Sequence, residues 1–112
     1  MSKKKNLIRT KFKNEVFKRD KGCKVCGEYI WGDNMDAHHI TDRNEMPNGG
    51  YVKENGITLC KESKTNEESC HMKAEKFHIS DGKEWVEGLH PDDLYKIIGS
   101  SKELAIKESE KI

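Results

Sequence analysis

The stretch Met35-Asp36-Ala37-His38-His39-Ile40 decides how the rest of the chain is interpreted. Two adjacent histidines stand there in a short segment with apolar residues at its edges. Because neighbouring side chains of a β-strand point to opposite faces, a strand at this position would send His38 and His39 in different directions. One imidazole could then hold a metal ion while the other faces a water molecule.

The composition is that of a small domain with little apolar material. Of the 112 residues, 33% are hydrophobic and 37% are charged. A chain this short with so small a core usually needs a disulfide or a metal ion for stability, and the four cysteines could provide one. The sequence shows no signal peptide and no stretch long enough to cross a membrane. We therefore expect a cytoplasmic protein without membrane contacts, whose cysteines are reduced and available as metal ligands.

Charge is distributed unevenly along the chain, although the formal net charge is only +1. Residues 1–26 contain ten lysines or arginines and two acidic residues, whereas residues 80–112 contain five lysines and eight acidic residues. A basic N-terminal segment is typical of proteins that bind a polyanion such as nucleic acid. A solvated and partly disordered tail is an equally acceptable interpretation.

The pattern divides the chain into three regions. Residues 1–8 are expected to be a basic flexible tail, residues 9–90 the main domain, and residues 91–112 a C-terminal helical extension. Hydrophobic spacing predicts the following elements in the main domain: a helix over 9–19, strands over 29–31, 35–40 and 57–60, and a helix over 70–77.

Two further predictions concern how these elements pair and begin. The strand over 29–31 is expected to pair with the double-histidine strand, and residues 41–53 are expected to form a polar loop. In the C-terminal extension, Pro91 is expected in the first turn of one helix, and a capping box from Ser100 to Glu103 is expected to begin the next.

The cysteines form a pattern typical of a zinc site. Cys23 and Cys26 are separated by two residues and followed by glycine, as in a zinc knuckle. Cys60 and Cys70 would complete a shell of four thiolates, although nine residues separate them instead of the usual two to four. Such a closed shell would hold a structural Zn2+ with no position left for substrate. The alternative is a set of buried, reduced thiols.

The order of these motifs resembles that of the HNH endonucleases. Residues 23–78 contain a CxxC motif, a double histidine at the end of a strand, an asparagine shortly before Leu-Cys, and Cys-His at the start of a helix. The resemblance implies an α+β fold with a small ββα-metal (His-Me finger) core, a zinc knuckle and flanking N- and C-terminal helices. It also implies metal-dependent hydrolysis of DNA phosphodiester bonds that leaves 5′-phosphate and 3′-hydroxyl ends.

The resemblance assigns a role to each matching residue. His38 corresponds to the metal ligand on the strand and His39 to the general base. Asn55 corresponds to the asparagine that braces the loop carrying the base. His71 corresponds to the metal ligand on the helix, and Glu75 stands where many members have a further ligand. The ion implied at this site is a catalytic divalent metal, Mg2+, Mn2+ or Ni2+.

The chain departs from the family pattern in three places. Gly56 follows the asparagine where leucine is usual, and Thr41 stands where a proline is often found. An insertion over 61–69 separates the last two cysteines and contains Asn66, which is a minor rival to Asn55 for the bracing role.

Other charged and titratable residues receive simpler interpretations. His78 and His90 are expected to be surface or satisfied core residues. Arg43, Lys18 and Arg19 are candidates for contacts with phosphates of the nucleic-acid backbone, which would position the substrate without reading its sequence.

Two other classes of function remain open at this point. The first is a non-catalytic zinc-ribbon module that binds DNA or a protein. The second is a zinc-stabilised interaction protein whose acidic C-terminal helices bind a larger partner. For a nuclease, double-stranded DNA is the expected partner. A monomer would nick one strand and a homodimer could cut both. The small size and lysine-rich start would suit a phage or mobile-element protein.

Overall fold

The computed structural model describes residues 3–62 and 68–112 and has a small α+β fold. Three short 3-10 turns lie between its two strands. No helix in the described ranges combines the length and apolar character needed to cross a lipid bilayer. The helices and strands are α1 (Lys3–Asp20), β1 (Met35–His39), β2 (Gly56–Cys60), α2 (Cys70–Ile79), α3 (Pro91–Ile97) and α4 (Lys102–Ser109), and the turns are Arg43–Glu45, Pro47–Gly50 and Lys53–Asn55.

The two strands form an antiparallel pair in which His38 lies opposite Ile57 and His39 lies opposite Gly56. The strand predicted from the Ile57–Cys60 run is therefore confirmed. The predicted partner of the histidine strand was wrong, because β2 takes the place that was expected for residues 29–31.

Residues 29–31 form part of a closed loop instead of a strand. Among the described residues, Tyr29 makes an isolated bridge with Gly22. The side chain of Asn34 accepts a hydrogen bond from the Trp31 amide and donates one to the Tyr29 carbonyl. These bonds fold the chain back on itself before β1 begins, so the segment cannot extend along the strand.

The two faces of β1 contact different helices. Asp36 and His38 lie on one face and approach α2, while His39 lies on the other and stacks on Phe12 of α1. The predicted divergence of the two histidines is confirmed. It follows from the alternation of side chains along a strand.

Helix α1 is longer than the sequence predicted. It begins at Lys3 instead of Arg9, so the predicted flexible tail is wrong for residues 3–8. These residues include no glycine or proline and are rich in lysine, which has a good helix propensity. The buried side chains Phe12 and Val16 pack the helix against the strands.

The C-terminal helices belong to the same core as the strands. The core cluster contains Leu94 and Tyr95 of α3 and Ala105 of α4 together with Ile57 and Leu59 of β2. The predicted boundary between residues 90 and 91 is therefore not a boundary of the hydrophobic core.

Helices α3 and α4 begin on polar side chains. Helix α3 begins at Pro91 as predicted, and the side chain of His90 caps it by accepting a hydrogen bond from the Asp92 amide. The cap of α4 is Ser101 and not the predicted Ser100. Ser100 instead donates its hydroxyl hydrogen to the Glu54 carbonyl, which leaves the capping role to its neighbour.

Gly56 allows α1 to approach β2 closely. A Cβ at this position would lie 2.6 Å from both the Phe12 and Val16 side chains. Its φ of −127° is open to any residue, so a substitution would act through steric overlap alone.

We expect Gly56→Ala to lower the free energy of unfolding by about 2 kcal/mol, because the buried side chains of Phe12 and Val16 must move away from the strand. Denaturant titration followed by circular dichroism would measure this loss. Gly32→Asn is the control, since no atom lies within 4 Å of its added Cβ and asparagine tolerates the positive φ at this position. Equal stability of Gly56→Ala and the wild type would contradict the expected overlap.

Candidate functional site

The four cysteines lie together at the junction of three segments. Cys23 and Cys26 follow α1, Cys60 ends β2, and Cys70 begins α2. One sulfur from each residue lies within 4.8 Å of the others, and none is in a disulfide. The sulfurs of Cys26 and Cys60 are 3.8 Å apart.

This geometry suits a zinc ion. Two sulfurs bound tetrahedrally at Zn–S distances of about 2.3 Å lie about 3.8 Å from each other. Backbone amides also point at the sulfurs: Cys26 donates to the sulfur of Cys23, and Cys70 donates to that of Cys60. Such bonds stabilise thiolates. The cluster could therefore bind zinc, as predicted from the spacing.

A second group of metal-ligating side chains lies between β1 and α2. His38, His71 and Glu75 each place one ligand atom within 4.8 Å of the others. Glu75 Oε1 lies 3.2 Å from His38 Nδ1 and 3.2 Å from His71 Nε2. Two ligands bound at about 2.1 Å with a tetrahedral or octahedral angle are separated by roughly 3.0–3.4 Å, so these distances fit a single ion.

The local electrostatics also suit a cation. His38 is buried, and its Nδ1 has no aligned hydrogen bond despite its closeness to Glu75. Burial lowers the pKa of His38, which favours the neutral imidazole that binds metals. Contacts with His38 and His71 hold the pKa of Glu75 well below its usual range, so this carboxylate is ionised.

Two residues near this group were not predicted from the sequence. Asp36 Oδ2 lies 3.1 Å from His71 Nε2, so a second carboxylate besides Glu75 contacts this imidazole. His78 had been interpreted as a surface or core residue. Its Nε2 lies 3.1 Å from the His39 carbonyl oxygen, which can only accept, so this nitrogen carries the hydrogen. The position of His78 two turns after His71, on the same helix face, was the signal that could have identified it.

His39 is half-buried between two aromatic rings. It stacks on Phe12 with a centroid distance of 4.7 Å and meets the edge of Tyr51 at the same distance. Its Nε2 is buried and has no hydrogen-bond partner among the described residues. Burial, with a contribution from His38, lowers the pKa of His39 to about 4, so the imidazole is neutral and able to accept a proton at neutral pH.

Asn55 braces the chain directly after His39. Its backbone carbonyl accepts a hydrogen bond from the Ile40 amide. Its side chain accepts from the Thr41 amide and donates to the carbonyls of Thr41 and Gly50. The predicted rival, Asn66, lies outside the described residues.

Tyr95 completes the hydrogen bonds of the buried Asn55 amide. Its hydroxyl donates to Asn55 Oδ1 over 2.7 Å and lies 2.6 Å from the Thr41 hydroxyl. Because the only phenolic hydrogen goes to Asn55, the Thr41 hydroxyl must donate to Tyr95. All four hydrogen-bonding positions of the Asn55 amide are then filled.

The candidate phosphate contacts lie in different surroundings. Four hydrogen bonds engage the Arg19 guanidinium, two with the Asp20 carboxylate and two with the carbonyls of Lys53 and Gly56. These bonds give Arg19 a structural role, and its contact with phosphate stays a prediction. Lys18 lies beside Arg19 in a surface depression that is also lined by Glu15 and Glu54. Arg43 is exposed and lies near Tyr51.

Comparisons with protein-family models, with curated proteins and with solved structures find no match for this chain. The arrangement of the described side chains therefore carries the functional argument.

We expect the purified protein to contain one zinc ion per chain, and Cys60→Ser to lose it. Removing one thiolate opens the shell, and the free energy of unfolding should fall by about 3 kcal/mol or more. Elemental analysis and thermal denaturation would measure both effects. Val25→Ala is the matched control, since its exposed side chain lies between Cys23 and Cys26. A full zinc content in Cys60→Ser would rule out a four-cysteine shell.

Asn55→Ala should destabilise the protein by roughly 3 kcal/mol, because it leaves buried amide and carbonyl groups without partners. Tyr95→Phe removes one donor and one acceptor and should cost about 1 kcal/mol. Denaturant titration would test this order, with the exposed Asn44→Ala as a control that changes stability little. A loss in Asn55→Ala no greater than in Asn44→Ala would contradict the bracing role.

Proposed function

We propose that this chain is an HNH-type, metal-dependent endonuclease that hydrolyses DNA phosphodiester bonds. The observation that carries the proposal is the convergence of His38, His71 and Glu75 beside a neutral imidazole on the neighbouring residue, His39. The order of β1, β2 and α2 supports a ββα-metal core, and the position of Asn55 supports its bracing role.

In the proposed reaction, His38, His71 and Glu75 would hold one divalent ion. When bound, such an ion supplies charge neutralisation at the phosphate and stabilises the departing 3′ oxygen. Three protein ligands leave coordination positions for phosphate and water. The imidazoles suit Mn2+ and Ni2+, and the carboxylate makes Mg2+ acceptable.

His39 would act as the general base. A phosphodiester bound at the end of β1 would lie next to both consecutive histidines. The neutral ring of His39 would accept the proton of the attacking water. The two hydrogen bonds between the Asn55 amide and the Thr41 backbone, and the bond from His78 to the His39 carbonyl, would keep the base in position.

The proposal predicts that the protein nicks or linearises supercoiled plasmid when Mg2+, Mn2+ or Ni2+ is added. We expect His39→Ala to lower the cleavage rate by roughly 10²- to 10⁴-fold, the usual contribution of a general base, while metal binding at the second site persists. His71→Ala should lose both metal binding at that site and cleavage. Gel electrophoresis of the plasmid and calorimetric titration with Mn2+ would measure the two effects.

The matched control is His90→Asn, which removes a histidine away from the site and retains a good helix cap. It should cleave like the wild type. If the folded wild type binds DNA but cuts under none of the three metals, the enzyme assignment is wrong. The non-catalytic zinc module would then be the better description.

A further inference from the structure

Two carboxylates converge on one nitrogen of His71. Asp36 Oδ2 lies 3.1 Å from His71 Nε2, and Glu75 Oε1 lies 3.2 Å from the same atom. A ring nitrogen has one hydrogen or one lone pair in its plane, so only one of these oxygens can be its hydrogen-bond partner at a time. Hydrogen bonding to His71 therefore does not account for both carboxylates, whereas a cation bound at this nitrogen could contact both.

The geometry of β1 places Asp36 at this nitrogen. Asp36 lies two residues before His38 in the strand, so both side chains project from the same face towards α2. The side chain of His38 is 1% exposed and forms the buried end of the group, while that of Asp36 is 43% exposed and forms its solvent side. Within the described ranges Asp36 pairs with His71 and with no lysine or arginine. Its negative charge therefore faces the candidate metal ligands.

Charge balance gives the second carboxylate a purpose. A divalent ion held by two neutral imidazoles and Glu75 would retain one uncompensated positive charge. Because the His38 side chain is buried and that of Glu75 is only 35% exposed, water would screen this charge incompletely. A second carboxylate would neutralise it. Carboxylate oxygens are also the ligands that Mg2+ and Mn2+ prefer.

We propose that Asp36 is a fourth protein ligand of the divalent ion held by His38, His71 and Glu75, and that it adapts the site to Mg2+ and Mn2+. This inference rests on the divalent-ion site of the proposed function, although not on DNA cleavage. The other three residues form the compact group whose ligand atoms all lie within 4.8 Å of one another, and Asp36 stands at its edge. Its exposed carboxylate can turn towards the ion by rotation of the side chain. An octahedral ion would then keep two positions for phosphate and water.

The first test removes the charge of Asp36 and keeps its shape. Asp36→Asn should weaken Mn2+ binding at this site by roughly 10- to 100-fold, the usual loss when a group that supports a metal site is removed. Asp81→Asn is the matched control. It removes the same charge from an exposed residue just after α2, where asparagine tolerates the positive φ, and its Mn2+ affinity should remain close to that of the wild type.

Isothermal titration calorimetry would measure these affinities on tag-free protein that holds one zinc ion per chain. Heat that persists in His71→Ala would be subtracted as binding elsewhere, since that variant loses a ligand of the site. Thermal denaturation would verify that each variant is folded.

An exchange of ligand separates metal binding from a structural role. Asp36→His offers an imidazole in place of the carboxylate, at a position whose exposure accommodates the larger ring. Because imidazole favours Ni2+ over Mn2+, the ratio of Ni2+ affinity to Mn2+ affinity should rise by about tenfold or more relative to the wild type. A residue that only held His71 in place would change both affinities together. This variant also provides the test if Asp36→Asn is unstable.

The outcomes separate the fourth ligand from the nuclease. Equal Mn2+ affinities of Asp36→Asn and Asp81→Asn would overturn the fourth ligand, whether or not the wild type cuts plasmid. An unchanged affinity ratio in Asp36→His would overturn it as well, and so would a folded wild type that binds no Mn2+ at this site. Weaker Mn2+ binding by Asp36→Asn and a raised ratio in Asp36→His would uphold it even if the wild type cuts no DNA, and the nuclease alone would then be rejected.

Discussion

The side-chain amide of Asn55 is the interaction on which the candidate site depends. It lies in the interior and uses two donors and two acceptor positions, all of them filled by groups from three parts of the chain. Unpartnered amides are costly inside a protein, so the segments that satisfy Asn55 have little freedom to move apart. This constraint fixes the chain where it leaves β1, and with it the direction of His39.

The sequence predicted those features that depend only on residues close together in the chain. The separation of His38 and His39 follows from the geometry of any strand, and the gathering of the cysteines follows from a tight CxxC turn with two later thiols. Helix α2 was predicted from the spacing of its own residues, which lie within one short segment. The candidate ligands His71 and Glu75 then share one face by helical repeat.

The features that were missed depend on contacts between distant segments. Nothing near Arg19 in the sequence indicates that the carbonyls of Lys53 and Gly56 will occupy its guanidinium. The pairing of β1 was assigned to the nearer segment, since the intervening turns that bring β2 alongside contain no regular pattern. His78 resembled an ordinary helix residue until the His39 carbonyl was found beside it.

The hydrogen bonds of Tyr95 with Thr41 and Asn55 have a consequence for the evolution and reuse of this domain. The pattern of cysteines and histidines ends before α3, so residues 9–90 look like a portable unit that could be fused to other proteins. A fusion that ended there would lack the phenol that fills the last position on Asn55, and its hydrophobic core would lack Leu94, Tyr95 and Ala105. The transferable unit therefore includes residues 91–112 as well as the segment that contains the cysteines and histidines. A fusion must either retain the last two helices or replace them with an equivalent surface of the recipient protein.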